Sequence, residues 1–216
     1  MTLKRTIVIM IFICLVDFAQ ADSLSVKVTN ASGQAVKDAI VYLQPKSAMN
    51  VSEVSAIEIE QKNKLFNPFI SVIPTGTIAT FPNHDGIGHH VYSFSKSKTF
   101  ELPLSEEELS QKILFDKPGV VTIGCNIHDW MVAYIYIVDT PYFAKTNSTG
   151  LANLENITPG EYELHIWHPG SIINKDSVSN ITIAQSQITQ EAFTLDIRPD
   201  YFWKPAPPPD LEQQEY

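Results

Sequence analysis

The sequence predicts an all-β protein of β-sandwich architecture, and three observations carry that expectation. Short runs of alternating apolar and polar residues recur along the chain, Gly and Pro punctuate the joints between them, and helical periodicity is confined to one short stretch. With 216 residues, 44% hydrophobic and 18% charged, the chain is too apolar for disorder and long enough for one domain or two small ones.

The first element is not part of the fold. Lys4 and Arg5 precede an apolar run over residues 6–16, and Ala19-Gln20-Ala21 puts small residues at the two positions a signal peptidase reads. Residues 1–21 are therefore a predicted secretory signal peptide cut after Ala21. The run is short of the ~20 residues a membrane span needs, so the expected mature protein is exported, with no span left after cleavage.

Strand patterns then follow at residues 24–28, 39–43, 69–73, 77–81, 90–94, 120–124 and 132–138. Pro74-Thr-Gly76 and Pro118-Gly119 separate some of them. Beyond Pro141 come further strand-like runs at 161–167, 178–183 and 192–197. The one helical stretch is 105–112, where Ser105 is an N-cap ahead of Glu106, Glu107 and Glu108. Residues 199–216 differ from the rest: Lys204-Pro-Ala-Pro-Pro-Pro cannot enter a sheet interior and predicts a mobile, extended tail, with an aromatic clamp by Tyr201, Phe202 and Trp203 as the alternative.

Charge narrows the function. Lys and Arg total 15 against 24 Asp and Glu, a formal net charge of −9. Loss of Lys4, Arg5 and Asp17 with the signal leaves 13 basic and 23 acidic residues, a charge of −10. Without a basic cluster the chain has nothing to neutralise phosphates, so nucleic acid is not an expected partner. A cationic partner protein would be steered to it, more strongly at low salt.

Signal removal also takes Cys14 and leaves Cys125 as the single cysteine. A lone thiol in an oxidising compartment is a liability unless buried, catalytic or metal-bound. Cys125 begins the spacing Cys125-x2-His128-x2-Met131 in a loop between two predicted strands. Thiolate, imidazole and thioether together suit copper, with a second His completing the trigonal plane; zinc does not ordinarily take the thioether. Upstream, His84, His89 and His90 are available for that second His. His89 and His90 alternate faces of a strand, so only one of them can serve a given side.

This segment resembles the cupredoxin family of blue copper proteins, and its amicyanin-like members in the Cys-x2-His-x2-Met loop. Those members carry an aromatic residue, an Asn two residues on, and a ligand His eight residues after the aromatic; Phe81, Asn83 and His89 stand at these positions, with Val91 following. The resemblance selects His89 over His90 and implies one type 1 copper ion held by His89, Cys125, His128 and Met131. Two positions depart from the pattern: His90 stands where an Asn usually ties the ligand loops together, and Asp129 where Pro is frequent.

The resemblance spans about residues 57–139. The chain is also similar to exported bacterial proteins labelled methylamine utilisation proteins, which pair a cupredoxin with carboxypeptidase-regulatory-like segments. The resemblance implies a cupredoxin Greek-key sandwich over 57–139 and a second small transthyretin-like or Ig-like sandwich made of residues 22–45 and 141–198. The first is expected to be inserted into the second, because the opening strand pair is too short to bury a core alone. Both would work in the periplasm as one exported chain. The expected function is single-electron transfer to a redox partner protein. Electrons would pass through the edge of His128, within an apolar rim formed by Ile87, Ile127 and Trp130. Copper storage or delivery is the competing expectation, favoured by extra His ligands at His84 and His90, with Asp85, as a second metal site. An enzyme is not expected: the further His-x-His pairs of multicopper oxidases are missing, as is any Ser/His/Asp or paired-carboxylate arrangement. His165-x2-His168 is spaced like a metal pair, but its members face opposite ways on a strand and read as structural.

Overall fold

The computed structural model describes residues 22–47, 55–103, 111–173, 176–185 and 187–198. The predicted signal peptide, nearly all of the predicted helix and the Pro-rich tail lie outside the described residues. Among those described, every regular element is a strand. β1 (Ser23–Asn30) and β2 (Ile40–Pro45) come first. β3 (Ala56–Glu58), β4 (Glu60–Gln61), β5 (Phe66–Asn67), β6 (Ile70–Pro74) and β7 (Thr77–Thr80) follow. Next are β8 (Val91–Ser95), β9 (Lys98–Glu101), β10 (Ile113–Phe115), β11 (Gly119–Cys125) and β12 (Val132–Val138). The chain ends with β13 (Phe143–Lys145), β14 (Leu151–Leu154), β15 (Gly160–Trp167), β16 (Ser177–Ile183) and β17 (Ile188–Leu195).

The all-β reading holds. One sandwich faces the five-stranded sheet β6-β12-β11-β8-β9 against the three-stranded sheet β10-β7-β3. Its core takes alternate residues of β11 and β12: Val121, Ile123 and Cys125 from one strand, Ala133, Ile135 and Ile137 from the other. The second sandwich faces β14-β1-β17 against β13-β2-β15-β16. Leu24, Val26 and Val28 of β1 meet Val41 and Leu43 of β2 and Leu164 and Ile166 of β15 across its core. β1 pairs only with β14 and β17, and β2 only with β13 and β15. Predicted strand 192–197 begins earlier than expected, because β17 runs parallel to β1 from Ser23↔Ile188 to Asn30↔Leu195 and takes its length from that partner.

The sandwiches meet face to face. The outer residues of β12 and β6 (Tyr136, Val138 and Ile70) pack on Ile40 and Tyr42 of β2 and Trp167 of β15. β12 is thus covered on both faces, which explains its nearly unbroken apolar sequence Val132-Ala-Tyr-Ile-Tyr-Ile-Val. A polar knot lies at this junction. Oδ2 of Asp176 accepts the hydroxyls of Tyr42 and Tyr136 at 2.7 Å each and stands 3.1 Å from His165 Nδ1, while the His165 ring stacks on Tyr42 at 4.5 Å.

Candidate metal centre

The centre is built where β8 and β11 run side by side, with Cys125 paired to Val91 and Gly124 to Tyr92. Gly124 leaves room for a ring: a Cβ on it would sit 3.2 Å from Tyr92, close enough that the ring would have to shift by a few tenths of an ångström. Cys125 ends β11 with its side chain on the core face. The loop to β12 is closed by main-chain bonds, from Cys125 N–H to the Met131 carbonyl and from Met131 N–H to the His128 carbonyl. The loop before β8 joins it through Asn126 N–H, which donates to the His90 carbonyl at 3.0 Å. The tie between the ligand loops is therefore main chain, and the side chain at 90 is free to point outward, 2.8 Å from Glu101 on β9.

Three donor atoms converge inside this frame. His89 Nδ1 and His128 Nδ1 are 3.2 Å apart, and Cys125 Sγ lies 3.8 Å from the first and 3.6 Å from the second. An ion about 2.0 Å from each nitrogen and about 2.3 Å from the sulfur, at the centre of a trigonal plane, requires separations of about 3.5 Å and about 3.7 Å. The donor set fits such an ion to within a few tenths of an ångström. His89 and Cys125 are 2% and 3% exposed, His128 is half-buried, and Met131 is fully buried in the same core cluster as Cys125. Among the described residues this is the one group of three or more His, Cys, Asp or Glu donors close enough to share a metal.

Protonation suits the same role at Cys125 and His128, while His89 must give up a proton to bind an ion. Burial pushes the Cys125 thiol up, but its bond to His89 and the backbone of Ile127 and His90 outweigh that and hold it below the ordinary thiol range. Burial pulls His89 down, yet Cys125 and Asp85 more than reverse it, so His89 lies above its usual value. His128 is lowered, by burial first and then by the positive charges of His89 and Lys64. A thiolate and a neutral imidazole are the forms that bind a metal.

Asp85 is the residue whose role the sequence did not reveal. Its Oδ2 lies 2.8 Å from His89 Nε2, and its side chain is 9% exposed. Two backbone N–H groups, of Asn63 and Lys64, donate to its carboxylate. Both residues have positive φ, 57° and 54°, so their N–H groups turn to the same side of the β4–β5 hairpin. The Lys64 carbonyl in turn accepts Trp130 Nε1–H at 3.1 Å, and the Trp130 ring lies 5.3 Å from that of His128. One hairpin turn thus holds both ligand loops, fixing His89 through Asp85 and His128 through Trp130.

The alternative of a second metal site at His84, Asp85 and His90 does not assemble among the described residues. His84 turns toward Glu60 at 4.0 Å, Asp85 belongs to His89, and His90 belongs to Glu101, so the three point to separate partners. His165 sits in the Asp176 knot. His168 is buried, accepts Gly170 N–H at Nδ1 and is lowered to about 4, mainly by burial. The rim residues divide: Ile87, in the loop before β8, and Ile127, next to His128 in sequence, are 37% and 49% exposed, whereas Trp130 packs against the core.

No protein-family model and no curated protein matches the chain. Matching solved structures include a Cu-containing nitrite reductase from Thermus scotoductus SA-01, at 23% identity and TM-score 0.38 over 45% of this chain. The match spans 26% of that reductase's length. A purple cupredoxin from Nitrosopumilus maritimus is similar at 24% identity and TM-score 0.34, over 39% of this chain and 99% of the other. A copper(I) form of a mutant amicyanin is similar at 16% identity and TM-score 0.36, over 45% and 98%.

Proposed function

We propose that the chain is an exported type 1 copper protein of cupredoxin kind that carries single electrons between partner proteins and is not itself an enzyme. The observation that supports it most is the convergence of His89 Nδ1, Cys125 Sγ and His128 Nδ1, at mutual distances of 3.2 to 3.8 Å, in a buried, disulfide-free β-frame. Met131, buried in the same cluster, would offer its thioether as a fourth, weaker donor. Copper contributes a one-electron couple, and the chain does the rest. Main-chain bonds between Cys125, His128 and Met131, and from Asn126 to His90, keep the donors in place whichever oxidation state is bound. Asp85 fixes the ring of His89. Ile87 and Ile127 form an apolar rim beside His128 where a partner can approach closely, and the net negative charge steers a cationic one toward it.

Within the same proposal, the sandwich holding this site is inserted into the second one, and the protein works in the periplasm after cleavage at Ala21. Storage or delivery has less support, since His84 and His90, the extra ligands it calls for, are engaged by Glu60 and Glu101.

The test is a visible spectrum of the copper-loaded, oxidised protein. An intense blue thiolate-to-copper band is expected; it should vanish in Cys125→Ser and His89→Ala and persist in His90→Ala. A colourless native complex refutes the electron-carrier reading, and a blue His89→Ala beside a colourless His90→Ala refutes the ligand choice.

A further inference from the structure

We infer that the cleft between the two sandwiches is a binding site for a flat organic anion, a conjugated or aromatic carboxylate. The inference does not rest on the metal centre. The second sandwich covers the outer face of the five-stranded sheet over β6, β12 and the start of β11 at Val120. Beside that contact, over β11, a cleft of about 650 Å³ opens, within the range of small-molecule sites.

Charge selects the class of occupant. Among the described residues, none of the ten that line it carries a carboxylate, although the chain has 24 acidic residues against 15 basic ones. Two of the ten are cations, Lys96 from the β8–β9 turn and Arg198 from beyond β17. Lys96 forms no ion pair among the described residues, and Arg198 is anchored at the cleft by donating Nη2–H to the Pro169 carbonyl. A local excess of positive charge in an acidic protein favours an anion.

Shape selects further. Tyr134 and Trp167 meet edge to face at 6.0 Å and form an aromatic corner of the cleft. Trp167 is also packed on Tyr136 at 5.2 Å, so the corner is set before anything binds. Ser171, also lining the cleft, is 4% exposed, and its hydroxyl has no hydrogen-bond partner among the described residues. A buried hydroxyl left unpaired is costly, and an incoming acceptor relieves it. Thr122 lies on the opposite wall, exposed, three residues before Cys125 on β11 and about 10 Å from it along the strand.

The probe is naphthalene-1-carboxylate, with naphthalene-1-carboxamide as its uncharged twin, titrated into the intact chain with and without copper and followed by two-dimensional NMR. Saturable shifts are expected at the amides of Thr122 and Tyr134 and at the Trp167 indole N–H, alike in both forms. The carboxamide should bind about tenfold to a hundredfold more weakly. Thr122→Glu adds a carboxylate at an exposed strand position and should weaken the carboxylate probe while leaving the fold intact; Lys96→Gln should weaken it to a smaller degree. The inference is overturned by an absence of saturation up to about 10 mM, by equal affinity for the two probes, by unaltered binding in Thr122→Glu, or by shifts centred elsewhere.

Discussion

Replacing Asp176 with Asn tests how firmly the two sandwiches are joined. The carboxylate receives three hydrogen bonds, two from tyrosine hydroxyls at 2.7 Å and one from His165 at 3.1 Å, and its side chain is only 20% exposed. A hydrogen bond to a charged group is worth about 1 kcal/mol more than a neutral one, so Asp176→Asn should cost about 3 kcal/mol at pH 7. For a chain of this length that corresponds to a fall in Tm of about 6 to 12 °C. The pH dependence is a second check. Burial raises the Asp176 pKa, but its bonds from His165, Tyr42 and Tyr136 outweigh burial and hold it below the ordinary carboxylate value. Its contribution is then present above the unfolded pKa of about 4 and is lost as pH falls through the folded value. Asn imitates the protonated carboxyl, so thermal scans by circular dichroism should show the gap between native and variant chains closing below about pH 4. A loss under about 1 kcal/mol at pH 7, or a gap unchanged in acid, would refute the reasoning.

At the metal centre, Asp85→Asn should lower copper affinity by about 10- to 100-fold, as loss of an outer carboxylate does elsewhere; competition against a copper(I) chelator measures it, and unchanged affinity counts against the role given to Asp85. Ile127→Glu places a charge on the exposed rim and should slow bimolecular electron transfer to a small cationic protein while leaving the copper spectrum intact. Gly124→Val should destabilise the chain by about 1 to 3 kcal/mol in urea unfolding through overpacking against Tyr92, and Tyr92→Ser should relieve most of that loss.

The long strands were legible because each buries one alternating face, as in β1, β11 and β15. The Cys125, His128 and Met131 spacing was legible because one short loop holds all three. The choice between His89 and His90 was not legible from strand pattern. In β8 the alternation puts Tyr92 and Phe94 on the face of His90, and Val91 and Ser93 on that of His89. The pattern alone would bury the aromatic face, yet Phe94 is 76% exposed while Ser93 is 1% exposed. The aromatic face is turned outward because Tyr92 covers the flat surface at Gly124. The β4–β5 hairpin was missed for a different reason. Its strands have two residues each, and its turn uses Asn63-Lys64 in place of an Asn-Gly signal. With it went the Asp85 contact, which depends on backbone N–H groups that no side-chain pattern encodes.

The position of β1 bears on how the chain acquires its fold. β1 is the central strand of its sheet, flanked by β14 and β17, so its partners arrive more than 120 residues later in the sequence. β2 is likewise interior, between β13 and β15. Such distant pairings carry a large loop-closure cost and form slowly. Strands β3 to β12 need no partner outside themselves; once they condense, they draw the ends of the intervening segment together and shorten the loop the outer strands must close. Synthesised from its N-terminus, the chain therefore holds its first two strands without these partners until β13 and β14, well past its middle, have been made. A product cut short before β17 would leave one side of β1 without its neighbour, an open edge primed for association with another copy.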